Sequence, residues 1–416
     1  MITSLFALWG FANDITNPMV AAFQTLMELS AAKASLIQFA FYGGYATMAI
    51  PAALFIRRYS YKKSILLGLA LYAIGAFLFI PAAAKQSFTF FCFSLYILTF
   101  GLAFLETTAS PFILSLGARE NATRRLNLAQ SFNPVGSLAG MAVASMVVLP
   151  NLLSDRRDAS GNILFPMLTE AEKAEIRLHD LAVIRNPYVI LGIVVLVMFV
   201  VISFIKTPAS HSQLTTILDS KHSTLNSIRR LFSSRVYREG VIAQMFYVAA
   251  QIMVWTFIIH YADNLSINKA MAQNYNIVAM CLFLVGRFFS TWLMKYADGR
   301  RLLTIFGIGA ALCSLGAMLI VGKTGLYFLV GISFFMSLMF PTIYGTALEE
   351  VSMDDTSLGA AFLVMAIVGG ALMPPLQGMI IDCGSIFGHP AVNVSYCLPL
   401  ICFAVVTFYG IRSRKL

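Results

Sequence analysis

Long apolar segments separated by polar loops run along the whole chain of 416 residues. A transmembrane helix needs about 20 predominantly apolar residues, and twelve segments come close to or exceed this length. The pattern predicts an all-α membrane protein with twelve transmembrane helices, numbered in chain order. Their ranges are 1–27, 31–56, 64–84, 88–117, 126–150, 186–205, 239–262, 270–296, 302–321, 324–348, 357–382 and 391–411.

A basic, serine-rich segment interrupts the apolar rhythm between predicted helices six and seven. It divides the chain into an N-terminal six-helix bundle (1–205), a cytoplasmic linker (206–236) and a C-terminal six-helix bundle (237–416). The halves are weakly similar, since "FGLAFLETTASPF" in helix four matches "FFMSLMFPTIYG" in helix ten, with Pro111 and Pro341 in corresponding places. Internal repeats of this kind are typical of transporters, so we predict two pseudo-symmetric bundles.

The basic residues predict the orientation of the chain in the membrane. Nineteen of the 29 lysines and arginines fall in loops after even-numbered helices or in the C-terminal tail, nine fall on the other side, and Arg287 lies inside helix eight. By the positive-inside rule both termini are cytoplasmic, and the polar segment 151–185 is an outer loop. Met1 stands almost at the start of helix one without a cleavable signal pattern. Either this helix is its own insertion signal or a short cytoplasmic tail precedes it.

Composition narrows the class of protein further. With 59% apolar residues, 12% charged residues and a mean hydropathy of +0.79, a soluble globular protein is excluded. The net charge of +10 is spread over the loops, so nucleic acid is not a predicted partner. The sequence has no Ser/His/Asp, Cys/His or metal-ligand cluster at usable spacing, and therefore predicts neither an enzyme nor a metal or cofactor site. We expect a monomeric, multi-pass protein of a bacterial inner membrane.

Two acidic residues lie deep within predicted helices, Asp14 in helix one and Glu106 in helix four, whereas Glu239 and Asp382 stand at the ends of theirs. A charge at the centre of the bilayer costs about 2.5 to 3.5 kcal/mol on insertion scales, so such residues usually face a cavity or a partner. Each acid has two interpretations. It is either a structural group held by neighbouring polar side chains, such as Asn13 and Asn17 near Asp14, or a proton carrier that is neutral in one state and ionised in another.

Other polar residues recur at helical spacing on three predicted helices. Each stripe alone is also compatible with hydrogen bonding between helices, but three stripes beside two buried acids favour a wet cavity. The stripes are Gln38, Tyr42 and Tyr45 on helix two, Gln130 and Asn133 on helix five, and Gln244, Tyr247, Gln251 and Trp255 on helix seven.

The side chains in these stripes suggest the chemistry of a ligand. Amides and carboxylates offer paired donors and acceptors, and tyrosine and tryptophan offer flat apolar faces, a combination that suits a sugar. Peptides and nucleosides could use the same groups. We predict Glu106 and Asp14 as proton-coupling residues, and a larger set as sugar contacts: Asn13, Gln38, Gln130, Asn133, Tyr247, Gln251 and Trp255.

Several segments resemble one family of transporters. "FALWGFANDITNPMVAAFQ", "GLAFLETTASPFI", "RLNLAQSFNPVGSLAG" and "GRFFSTWL" are similar to the fucose, galactose and glucose proton symporters of the major facilitator superfamily. This resemblance implies inward symport of a monosaccharide with a proton by alternating access. It places the family's two embedded carboxylates on Asp14 and Glu106 and its amide pair on Gln130 and Asn133. It also implies that Glu106 is the protonation site and that Asp14 couples it to sugar binding.

The sequence departs from the family pattern at Asn17, at Pro134, and in the loop "RRYSYKK", which lacks the usual aspartate. Two alternatives to the proton symporter remain open at this point. One is a sodium-coupled sugar transporter, and the other is a sugar sensor that does not transport and signals through residues 206–238. Arg287 is predicted to act as a structural latch that reaches Asp298 or polar groups of the adjoining loop.

Overall fold

The computed structural model describes residues 2–29, 36–115, 121–156, 164–204, 224–265, 267, 269–352, 354–386 and 388–414. Within these ranges the fold is helical, apart from one short antiparallel pair of strands, Ser385–Ile386 and His389–Pro390. The prediction of an all-α membrane protein is confirmed in this coarse form. Residues 206–223 of the predicted linker (206–236) lie outside the described residues.

The described helices follow the apolar segments closely. In the first part of the chain they are α1 (Ile2–Leu26), α2 (Leu36–Arg58), α3 (Tyr61–Phe77), α4 (Phe79–Ala84), α5 (Phe88–Ser115), α6 (Ala122–Gln130), α7 (Phe132–Val143) and α8 (Glu170–Phe204). In the second part they are α9 (Thr224–Ser233), α10 (Arg235–Asn264), α11 (Lys269–Leu293), α12 (Gly299–Leu319), α13 (Lys323–Met336), α14 (Met339–Leu348), α15 (Thr356–Met365), α16 (Gly369–Asp382), α17 (Ala391–Val394) and α18 (Cys397–Arg412).

Eleven helical segments in the described part are long and apolar enough to cross a membrane, from Phe39–Ile56 to Ala391–Arg412. They coincide with predicted helices two to twelve, because unbroken apolar length is the main requirement for crossing a bilayer. Predicted helix one corresponds to α1, which has 25 residues but is not among the eleven.

The predicted start of helix six at residue 186 is wrong, because α8 already begins at Glu170, within the segment 151–185 that is predicted as an outer loop. Thr169 and Glu172 form a capping box at this end: the backbone N–H of Thr169 donates to Glu172 Oε2 at 2.9 Å, and its hydroxyl donates to the same oxygen at 2.6 Å. Ion pairs from Lys173 (2.8 Å) and Arg177 (3.0 Å) to Glu28 then join this extension to the end of α1.

The chain forms two compact units. The first comprises Met1–Ala109 with Val135–Leu218, and the second comprises Ser110–Pro134 with Asp219–Leu416. In the first unit α8 packs along α3 and α4, and in the second α12 packs against α13 and α18. The division into residues 1–205, 206–236 and 237–416 stays a prediction.

Candidate functional site

The first acid of the candidate site, Asp14, lies on α1 where this helix packs closely against α7. A Cβ atom placed on Gly140 of α7 would lie 2.7 Å from the Phe11 carbonyl oxygen and 3.3 Å from the Ile15 nitrogen. Only glycine allows this approach, and the segment of α1 that it fixes contains Asn13 and Asp14. Asp14 is 4% exposed, so the carboxyl is buried.

Two tyrosines of α2 connect the neighbourhoods of the two acids. The hydroxyl of Tyr42 donates to Asn13 Oδ1 at 3.1 Å, and Tyr42 is also within electrostatic range of Asp14. Tyr45, one turn further along, is within electrostatic range of both Glu106 and Tyr42. The chain of neighbours therefore runs from Asp14 through Tyr42 and Tyr45 to Glu106.

The second acid, Glu106, lies on α5 and is 8% exposed. It forms no ion pair with any residue in the described part of the chain. The adjoining turn is fixed by Thr108, whose hydroxyl donates to the Phe104 carbonyl at 2.6 Å and lies 2.8 Å from the hydroxyl of Ser64 on α3. A buried carboxyl without a cation close by is costly to ionise, so binding or release of a proton at Glu106 changes the energy of this site substantially.

The tyrosines were not included in the predicted set of site residues, although the stripe on helix two contains them. Their spacing alone does not distinguish hydrogen bonding between helices from a functional role. The structure adds that both are buried, at 4% and 6% exposed, and that Tyr42 lies within electrostatic range of Asp14 and Tyr45 within that of Glu106. The third member of this stripe, Gln38, is part of α2, but its side chain lies outside what the structure describes.

The predicted amide pair lies in the second unit, at a break between α6 and α7. Gln130 ends α6 and is 5% exposed, whereas Asn133 in the first turn of α7 is half-buried. Pro134 has no N–H and cannot donate to the Gln130 carbonyl, which gives a physical reason for the break. α6 itself packs on α14, where the side-chain amide of Asn127 donates to Thr342 Oγ1 at 3.3 Å.

The stripe on predicted helix seven lies on α10, also in the second unit. Two of its members hydrogen-bond to α13: the Tyr247 hydroxyl donates to the Met336 carbonyl at 3.2 Å, and Trp255 Nε1 donates to Ser333 Oγ at 3.2 Å. Gln251 is half-buried. The roles of Tyr247, Gln251 and Trp255 as sugar contacts stay predictions, and so do those of Gln130, Asn133, Gln38 and Asn13.

The predicted latch between Arg287 and Asp298 is wrong for this structure. Arg287 is 3% exposed, and its Cζ atom lies 4.9 Å from the centre of the Phe283 ring. Asp298 is exposed instead and lines a surface cavity of about 400 Å³ with Arg300, Arg301, Glu349 and Arg414. Spacing along the chain did not reveal this, because the arginine side chain packs on a ring one turn earlier in its own helix.

Eleven candidate membrane-crossing segments in the described part of the chain and two buried carboxyls are typical of multi-pass membrane transport proteins. The chain matches the model of the Major Facilitator Superfamily over residues 2–374. It therefore belongs to the Major Facilitator Superfamily, which confirms the resemblance seen in the sequence. Its helical fold is the fold of this superfamily, and the protein is a multi-pass membrane transporter rather than an enzyme.

Individual relatives cover nearly the whole chain. It is 61% identical over 416 residues to the L-fucose-proton symporter of Haemophilus influenzae, covering 100% of this chain and 96% of the relative. It is 34% identical over 415 residues to the L-fucose-proton symporter of Escherichia coli, covering 99% of this chain and 91% of the relative. The crystal structure of the transporter FucP in the outward conformation superimposes with a TM-score of 0.85 at 32% identity, covering 99% of this chain and 97% of that one.

Proposed function

We propose that this protein is a proton-coupled symporter that carries a monosaccharide, in the first place L-fucose, into a bacterial cell. One observation supports the coupling most directly: two buried carboxyls, Asp14 and Glu106, lie at the ends of a chain of neighbours formed by Tyr42 and Tyr45. The choice of sugar is supported by the relative that is 61% identical and is named as an L-fucose-proton symporter.

We further propose twelve transmembrane helices in two pseudo-symmetric six-helix bundles. Eleven candidate spans together with the 25-residue helix α1 support this number. The excess of lysine and arginine after even-numbered helices supports cytoplasmic termini in the inner membrane. A monomer is the proposed transport unit.

In the proposed mechanism Glu106 takes up a proton from the outer side, and this neutralises the carboxyl before sugar is carried inward. Asp14 links that protonation to sugar binding through the tyrosines of α2. A proton that crosses about 100 mV contributes about 2.3 kcal/mol, and one pH unit contributes about 1.36 kcal/mol. Together they support accumulation of sugar by roughly several hundred-fold.

Uptake into proteoliposomes under an imposed proton gradient tests this coupling. We expect Glu106→Gln to abolish accumulation of labelled L-fucose above the outside concentration, since glutamine cannot carry the proton. Glu350→Gln is the matched control, because Glu350 is exposed and the substitution is chemically the same. Accumulation by Glu106→Gln at the level of the control contradicts the role of Glu106. Replacing sodium by potassium at fixed pH is expected to leave wild-type uptake unchanged.

A further inference from the structure

Arg287 is a buried guanidinium that forms no side-chain hydrogen bond or ion pair within the described part of the protein. It lies in the membrane-crossing segment Met271–Leu293 of α11 and is 3% exposed. Its Nε atom is buried and has no hydrogen-bond acceptor. Two electrostatic contacts are described for its guanidinium. Tyr247 lies within electrostatic range, and the centre of the Phe283 ring lies 4.9 Å from Arg287 Cζ.

A guanidinium in this position has donors left to offer. It stays protonated and carries five N–H donors. The face of an aromatic ring attracts the positive charge, but it is a weaker hydrogen-bond acceptor than an oxygen atom. Charged side chains inside membrane helices are rare and mark substrate or ion pathways. The donors of Arg287 are therefore available to a molecule other than the protein itself.

Two aromatic side chains, Phe283 and Tyr247, lie near Arg287. Tyr247 already uses its hydroxyl hydrogen on the Met336 carbonyl, and Trp255 uses its Nε1–H on Ser333. The indole of Trp255 also meets the Phe283 ring edge to face, with 5.1 Å between centroids. Donors beside flat apolar rings suit a ligand with several hydroxyl oxygens and an apolar ring face, which is the chemistry of a monosaccharide.

A second polar group without a partner lies nearby on α10. Gln244 precedes Tyr247 by three residues, so the two side chains point to the same face of the helix. Gln244 is fully buried, and neither its amide nitrogen nor its amide oxygen has a hydrogen-bond partner in the described structure. Buried amides without partners are rare, and each calls for an explanation such as an absent ligand.

We propose that Arg287, with Gln244 beside it, determines sugar specificity by hydrogen-bonding to hydroxyl groups of the transported monosaccharide. This assignment rests on the proposed function. The guanidinium donates to sugar oxygens, and the Gln244 amide both donates and accepts. Because both side chains are covered in this structure, the sugar meets them in another conformation of the transport cycle. A sugar with a differently oriented hydroxyl leaves these buried groups unpaired and is rejected.

The test measures the Kd of L-fucose, and of analogues that each lack one hydroxyl, for purified protein in detergent. We expect Arg287→Gln to raise the Kd of L-fucose by about tenfold or more. For at least one analogue, the Kd values of wild type and Arg287→Gln should agree within about twofold. The hydroxyl that this analogue lacks is then the one that Arg287 contacts. Arg301→Gln, at an exposed arginine of α12, is the control and should leave every Kd unchanged.

Two results overturn the assignment. One is an unchanged Kd for L-fucose in Arg287→Gln. The other is an equal loss of affinity for L-fucose and for all analogues, which indicates a structural role of Arg287. If Arg287→Gln does not fold, Gln244→Leu decides, since it removes an unpaired amide and is expected to fold. An unchanged Kd in Gln244→Leu then overturns the proposal. Wild-type protein that neither binds nor accumulates L-fucose contradicts the proposed function itself, whereas normal wild-type uptake with unaffected variants contradicts this assignment alone.

Discussion

At the scale of single residues, the hydroxyl of Tyr42 is the described group that joins α2 to the polar segment of α1. It donates to Asn13 Oδ1, and its ring meets Phe41 edge to face at 5.4 Å, so its position is fixed by both contacts. A hydrogen bond of this kind contributes about 0.5 to 1.5 kcal/mol net, and a buried acceptor that loses its donor is costly. We infer that the orientation of Asn13 beside Asp14 depends on Tyr42.

We therefore expect Tyr42→Phe to fold normally and to lower the rate of proton-driven L-fucose uptake by roughly three- to tenfold, corresponding to the loss of one hydrogen bond. Initial rates in proteoliposomes provide the measurement. Tyr96→Phe is the control, because it removes a hydroxyl that donates to Thr47 Oγ1 at 3.0 Å in an exposed position. Equal rates for the two variants would contradict a role for Tyr42 in the site.

At the scale of elements, α9 is held to the start of α15 by a two-point contact between charged groups. Arg230 Nε donates to Asp355 Oδ2 at 2.9 Å, and Arg230 Nη2 donates to Asp355 Oδ1 at 3.0 Å. Burial by itself would raise the pKa of the Asp355 carboxyl, but hydrogen bonds from Arg230, Ser227 and Ser352 outweigh it and hold the pKa below its usual value. Asp355 in turn raises the pKa of Arg230.

The sign of the pH dependence follows from the lowered pKa of Asp355. Stability from this pair is present above the unfolded pKa of about 3.9 and is lost as the pH falls through the lower folded value. We expect Arg230→Gln to reduce the free energy of unfolding at pH 7 only modestly, because the Arg230 side chain is 46% exposed and solvent screens the pair.

Thermal unfolding in detergent, followed from pH 7 downward, measures this effect. The difference between wild type and Arg230→Gln should shrink below about pH 4, as Asp355 becomes protonated. The matched control is Arg229→Gln on the same helix, since Arg229 is exposed and forms no ion pair within the described residues. A difference that persists unchanged in acid would show that the ion pair does not account for it.

At the scale of the whole molecule, the distribution of positive charge predicts which loops face the cytoplasm. The loop between α12 and α13 follows predicted helix nine and is expected outside, whereas the C-terminal tail is expected inside. Green fluorescent protein fused after Leu416 should fluoresce, and alkaline phosphatase fused after Gly322 should be active. The reverse outcome for both fusions would contradict the proposed orientation. Gly322 suits a fusion because it lies in open space at a positive φ of 106°.

The sequence by itself determined where the membrane helices lie. Crossing a bilayer requires an unbroken apolar segment, and the residues of such a segment are consecutive in the sequence. It also determined that Asp14 and Glu106 are exceptional, since few charges are tolerated in such segments. The start of α8 was also encoded locally, in the capping box of Thr169 and Glu172, although hydropathy obscured it.

Only the tertiary structure decided which side chains meet. Tyr42 lies 29 positions from Asn13, and Trp255 lies 78 positions from Ser333, so no local pattern specifies these pairs. Contacts between distant segments depend on how helices rotate and pack, and close approaches such as that of Gly140 to α1 set those rotations. The burial of Arg287 among aromatic rings, away from Asp298, was decided in the same way.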